Sequence, residues 1–68
     1  MKKSKFDEGY DSGYAAGERA RIDAYELRER YAYLRAGGEW QTYLKSVADR
    51  DLYLAGFEDA MRAMGVTP

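Results

Sequence analysis

Gly9-Tyr10-Asp11-Ser12-Gly13-Tyr14-Ala15-Ala16-Gly17 places glycine at every fourth position, with Tyr10 and Tyr14 locked to the same spacing, inside a segment that otherwise reads as an amphipathic helix. Four residues is close to one helical turn, so the three glycines share a face. Each costs about 0.5–1 kcal/mol relative to alanine in a helix interior. Three on one side imply that another backbone packs against the bare main chain and offsets the loss. The stretch therefore predicts an all-α fold with a glycine-mediated close helix crossing.

Working outward, a heptad runs through residues 6–34. Phe6, Gly13, Ala20, Leu27 and Leu34 recur every seven residues, and Tyr10, Gly17, Ala24 and Tyr31 follow four after each of the first four. This is an a/d seam, small in its middle and large at Leu27, Tyr31 and Leu34. It predicts one helix over about 5–36, roughly 48 Å long at 1.5 Å per residue, ended by Gly37-Gly38 as a left-handed cap. Trp40, Tyr43, Leu44 and Val47 then predict a short helix over about 39–48. Ser46-Val47-Ala48-Asp49 resembles a capping box, so a third helix is expected over about 50–64, closed by Gly65, with a single helix bent at Asp49 as the alternative. Its apolar arc comprises Leu52, Tyr53, Gly56, Phe57, Ala60, Ala63 and Met64.

The last helix repeats the first. Tyr10, Gly13, Tyr14, Gly17, Arg19 and Ala20 align without gaps on Tyr53, Gly56, Phe57, Ala60, Arg62 and Ala63, at a constant offset of 43 residues. Two copies of one docking motif predict that they face each other, in an antiparallel helical hairpin or a small three-helix domain with Gly13 crossing near Gly56. The whole chain, 1–68, reads as a single helical domain.

Composition excludes several classes. A core of 68 residues rarely supplies more than about 3–5 kcal/mol without a staple, and the chain has neither cysteine nor histidine for a disulfide or a structural zinc. Self-association or a bound partner is the expected support, and a homo-oligomer follows from a seam longer than one chain can cover. A formal net charge of −1, from 11 basic and 12 acidic residues, is far from the strong basicity of phosphate-driven nucleic-acid binders. No apolar run resembles a signal peptide or spanning helix, so a cytoplasmic protein without a membrane partner is expected.

Gly9-Tyr10-x-x-Gly13 followed by Gly17, together with Tyr53-x-x-Gly56-Phe57-x-x-Ala60-Met61, resembles the ribosome modulation factor family, whose two helices carry a Gly-Tyr-x-x-Gly element and an aromatic-x-x-Gly-aromatic-x-x-Ala-Met element. The likeness spans about 20 residues of the 68. It implies a helical hairpin and a role on small-subunit ribosomal RNA. That family is very basic and has a Pro-Tyr element between its helices, and this chain lacks both.

Catalysis is not expected, nor is a cofactor or a metal. Without histidine or cysteine the commonest general base and thiol nucleophile are absent, and Asp7, Glu8 and Asp11 suit the first turn of a helix, where carboxylates favour the dipole. Arg21, Arg28 and Arg35 also repeat every seven residues. They form a stripe beside the seam, suited to pairing with neighbouring acids or to an anionic partner. The candidate interface comprises Tyr10, Gly13, Tyr14, Gly17, Tyr53, Gly56, Phe57 and Trp40, with Tyr25 and Tyr33 as further aromatics lying off the seam. The reading is a small protein-binding module, an adaptor or inhibitor of a larger machine in the style of phage and mobile-element proteins, with a ribosome- or RNA-associated modulator as the alternative.

Overall fold

The computed structural model describes residues 4–19, 21–37 and 47–68, and among these it is all-helical. Helix α1 spans Lys5–Tyr14 and passes into a π-helical turn over Ala15–Arg19. Helix α2 spans Ala24–Arg35 and helix α3 spans Val47–Ala63. The short helix expected over 39–48, the Trp40 side chain and Gly38 lie outside the described residues, apart from Val47 and Ala48, which open α3. No described helix is long and apolar enough to cross a membrane.

The helix starts follow from capping. Ser4 Oγ accepts from the Asp7 amide at 3.1 Å, and Asp23 Oδ1 accepts from the Glu26 amide at 2.9 Å. Each side chain satisfies a donor that the first turn leaves unpaired. The ends rely on left-handed glycines. Gly37 has φ 122° beyond α2, as its position after the seam predicts. At the end of α3, Gly65 has φ 78°, its amide donates to Arg62 O at 3.0 Å, and the Val66 amide reaches Met61 O at 2.8 Å. That pair of bonds is a Schellman closure.

The single helix expected over 5–36 is not formed. After the π turn the Ile22 amide donates to Ala16 O at 3.1 Å, Arg21 takes φ 54°, and Asp23 caps a new helix. The physical reason is compactness: a rod of about 48 Å leaves its seam in water, whereas the folded chain measures 29 × 28 × 18 Å. Ala24, a seam position, is exposed.

The expected antiparallel pairing of the first and last helices is also corrected. Contacts climb together along both, from Gly9 on Tyr53, through Gly13 on Phe57 and Ala60, to Gly17 on Met64. Helices α1 and α3 therefore run in the same direction. Helix α2 returns the chain along the other side of α3, with Tyr31 stacked on Phe57 and Arg28 Nε donating to Thr67 O at 2.8 Å. Among the described residues the fold is three-helical, so of the two architectures the sequence allows it is the small helical domain and not the antiparallel hairpin.

The core gathers Leu27, Tyr31, Leu54, Phe57 and Met61 with Ala16, and Leu27, Phe57 and Met61 are sealed almost completely. The buried arc of α3 is rotated from expectation, because the helix packs on two sides. Leu54 and Met61 are buried, while Leu52 and Ala63 are exposed. Helix α3 also runs straight through Asp49, where a start or a bend was expected. On its polar side Arg62 pairs with Glu58 at 3.3 Å and Asp59 at 3.2 Å.

Candidate functional site: a tyrosine-lined surface around a glycine crossing

The buried residues of α1 are Gly9 and Gly13. What this helix gives to the interior is main chain. A Cβ on Gly9 would overlap the Tyr53 carbonyl, and one on Gly56 would overlap the Phe6 carbonyl and fall 2.8 Å from Tyr10 N. At Gly13 the fit is a little looser, 3.0 Å to Ala60 Cβ and 3.1 Å to Phe57 O. Gly17 meets Met64 and Leu27 side chains. The crossing is thus displaced by one turn from the expected pairing. Gly56 nests between Phe6 and Tyr10, and Gly13 faces Ala60, because same-direction helices set the two motifs in a shifted register.

This close approach brings aromatic side chains from three helices near Ser12. Tyr10 and Tyr14, one turn apart, stack with centroids 6.1 Å apart and planes inclined by 11°. With Asp11, Ser12 and Arg19 they line an open cleft of about 750 Å³. On the other side of Ser12, a second cleft of about 330 Å³ lies between Tyr33 and Arg30 of α2 and Tyr53 and Phe57 of α3. The Tyr53 hydroxyl donates to Ser12 Oγ at 2.6 Å. Ser12 lines both clefts, so one serine ties the α1 surface to the α2–α3 groove.

Two further tyrosines, Tyr25 and Tyr31, have phenols shifted by their surroundings. The Tyr25 phenol is raised above its ordinary value by its hydrogen bond to Glu29 and by that carboxylate's charge, at an exposed site. Tyr31 is raised mainly by burial, then by a hydrogen bond to Glu58, with Arg35 and Arg62 opposing. Both effects favour the neutral, hydrogen-bond-donating phenol.

Of the sequence-predicted interface, the structure brings Tyr10, Gly13, Tyr53, Gly56 and Phe57 together at the crossing and places Gly17 at its end. Tyr14 stands outside, exposed and stacked on Tyr10. Trp40 lies outside the described residues. The arginine stripe is broken, because the chain reverses between Arg21 and Arg28: Arg21 sits in the turn, Arg28 holds Thr67 O, and Arg35 ends α2 near Tyr31. Sequence reasoning missed Ser12, Arg19 and Arg30 as cleft residues. Position gave the available signal for Ser12, one residue from Gly13 on the helix that must approach Tyr53. Among the described residues no three acidic side chains converge as a metal site requires. Comparison of the chain with protein-family models, with characterised proteins and with solved structures gives no match.

Proposed function

We propose that this protein is a non-catalytic, self-associating protein-binding module, an adaptor or inhibitor that occludes a larger macromolecular machine in the cytoplasm. The observation that carries the reading is the pair of adjoining clefts around Ser12, walled by Tyr10, Tyr14, Tyr33 and Tyr53. Tyrosine offers large, stiff contact area with a polar tip and loses little conformational entropy on docking, which is why it concentrates at interface hot spots. Tyr14 and Tyr33 are 43% and 58% exposed, so their rings are open to a partner. Small size and near-neutral charge fit an occluding protein, the style of phage and mobile-element inhibitors.

The test is capture of partners from the native cell by tagged wild-type chain and by a Tyr14→Ala/Tyr33→Ala variant with unchanged helical circular dichroism. A partner retained by the first and lost by the second supports the reading. Equal retention by both removes the tyrosine surface from it.

A second reading, a ribosome- or RNA-associated modulator resembling ribosome modulation factor, draws on Arg19 beside Tyr14 and Arg30 beside Tyr33. Rings flanked by guanidinium groups suit stacking on single-stranded bases. Salt separates the two readings: phosphate-driven binding weakens with a log–log slope of about −0.7 to −0.9 per contact, whereas a tyrosine-anchored protein interface responds little. With Glu8 and Asp11 lining the same cleft as Arg19, the shallow dependence is expected. Submicromolar, salt-steep binding to ribosomal RNA would promote the second reading.

A further inference from the structure

We infer that two copies of this chain dimerise by exchanging helix α1, with the π turn and Arg21 straightening so that residues 5–35 become one helix. The inference rests on the self-association proposed above and names its mode.

Three observations converge on it. First, the a/d repeat continues in the sequence from Phe6 to Leu34, and between Glu18 and Arg35 there is neither glycine nor proline to demand a break. Second, the structure nevertheless breaks there, and does so uncomfortably. A π turn spans Ala15–Arg19, and Arg21, a residue with a full side chain, sits at φ 54°. Left-handed backbone at such a residue is disfavoured by contact between Cβ and the backbone, and such strain persists only where the surroundings enforce it. Third, α1 is secured by α3 from the far end of the chain. Gly9 lies on Tyr53, Gly56 lies on Phe6 and Tyr10, and Tyr53 bonds Ser12.

A helix attached to its own chain by a strained hinge, and to the fold by a surface that every copy presents, can dock on a neighbour without losing those contacts. In the exchanged dimer each α1 makes the same glycine crossing, now on the partner's α3. Straightening releases the left-handed arginine and replaces the bond from the Ile22 amide to Ala16 O, and the Asp23 cap, with ordinary helical bonds. The resulting helices, about 46 Å long, carry Ala20 and Ala24 near their midpoints, beyond the crossing that occupies Gly17. Those small residues let two such helices pass closely, and they give Ala24, exposed in the folded-back chain, a partner.

The test uses the variant Gly13→Cys/Ala60→Cys, whose thiols fall at the crossing because a Cβ on Gly13 would lie 3.0 Å from Ala60 Cβ, so that parting the helices by about 0.5–1 Å brings the pair to disulfide separation. Oxidised at low concentration, the variant should form the bond within one chain and run as a monomer on a non-reducing gel. Oxidised at high concentration, it should run increasingly as a covalent dimer. A second variant tests the hinge without touching the crossing. Arg21→Gly is at ease at φ 54° and poor inside a helix, so it should raise the dimer dissociation constant measured by sedimentation equilibrium about a hundredfold, tenfold for each chain. A wild-type dimer whose thiol variant links only within chains, or whose affinity ignores Arg21→Gly, overturns the exchange and leaves self-association standing. A chain that stays monomeric at every concentration overturns both.

Discussion

Helix α3 is held on one side by α1 and on the other by α2, and the two contacts are made of different matter. Toward α2 it presents side chains: Leu27 is sealed, and Tyr31 stacks on Phe57 with centroids 6.0 Å apart. That contact follows the usual accounting of apolar burial, with an aromatic pair adding about 0.5–1.5 kcal/mol. Toward α1 it presents the Tyr53 main chain to Gly9 and Gly56 to the main chain of Phe6 and Tyr10, so main chain meets main chain there, with Ala60 and Phe57 closing on Gly13. What stabilises there is dispersion between closely packed backbone atoms and weak Cα–H···O contact, small individually and dependent on the distance being kept. The first kind of contact tolerates a change of shape at moderate cost. The second has no slack, since any added atom needs the helices to part.

Phe57 belongs to both contacts, lying under Gly13 and against Tyr31, so Phe57→Ala should have the largest effect, about 3–5 kcal/mol. Urea unfolding followed by circular dichroism measures it. A loss under 1 kcal/mol would mean that the two sides do not share a core.

Gly56→Ala separates them. In an ordinary helix interior the change stabilises by up to about 1 kcal/mol, but here the new methyl overlaps the Phe6 carbonyl, and overpacking costs about 1–3 kcal/mol. The variant should be destabilised, and Gly13→Ala, with its nearest neighbours at 3.0–3.3 Å, should be harmed less. Reversal of that order in thermal melts would place the tightest crossing elsewhere.

Tyr53→Phe removes the hydroxyl that joins α3 to Ser12 at a partly buried site. A loss of about 0.5–1.5 kcal/mol is expected, with the two sides of α3 otherwise unchanged.

The smallest effect is a titration. Tyr31, on the α2 side, has its phenol raised above 10.0 by burial and by Glu58. Its stabilising contribution is therefore complete below pH 10 and is lost as the pH climbs through the raised value. Stability measured from pH 8 upward should fall past that point, and Tyr31→Phe should flatten the fall; an unchanged profile would detach Tyr31 from it.

The close crossing was legible because glycine at every fourth helical position has few other uses, and Gly37 and Gly65 end their helices as such residues do. The break between α1 and α2 was hidden because the heptad passes through it in phase. The one local sign is Asp23 followed three residues later by Glu26, a capping pattern that the in-phase repeat conceals. Once a single helix over 5–36 was assumed, an antiparallel hairpin followed; recognising α2 as a return segment reverses the direction of pairing. Register was unreadable for a related reason: a motif repeated at one-turn intervals looks the same after a one-turn shift, and only packing of Gly56 between Phe6 and Tyr10 decides it. The smaller cleft combines residues from α1, α2 and α3 and depends on that register, whereas the larger lies along α1 and the π turn alone.

The crossing also governs how the chain finds its fold. Helical proteins reach the native state quickly because most of their contacts are local, yet here the contact between Tyr53 and Ser12 spans 41 residues. The entropy of closing so long a loop must be met before the glycines return anything, and the approach has to be near final before backbone dispersion is felt at all. The pairing of α2 with α3 through Tyr31 and Phe57 closes a shorter loop, so α1 is expected to dock last and the chain to fold more slowly than its secondary structure implies. Stopped-flow refolding in which Gly56→Ala slows folding as much as Phe57→Ala would place the crossing in the rate-limiting step instead.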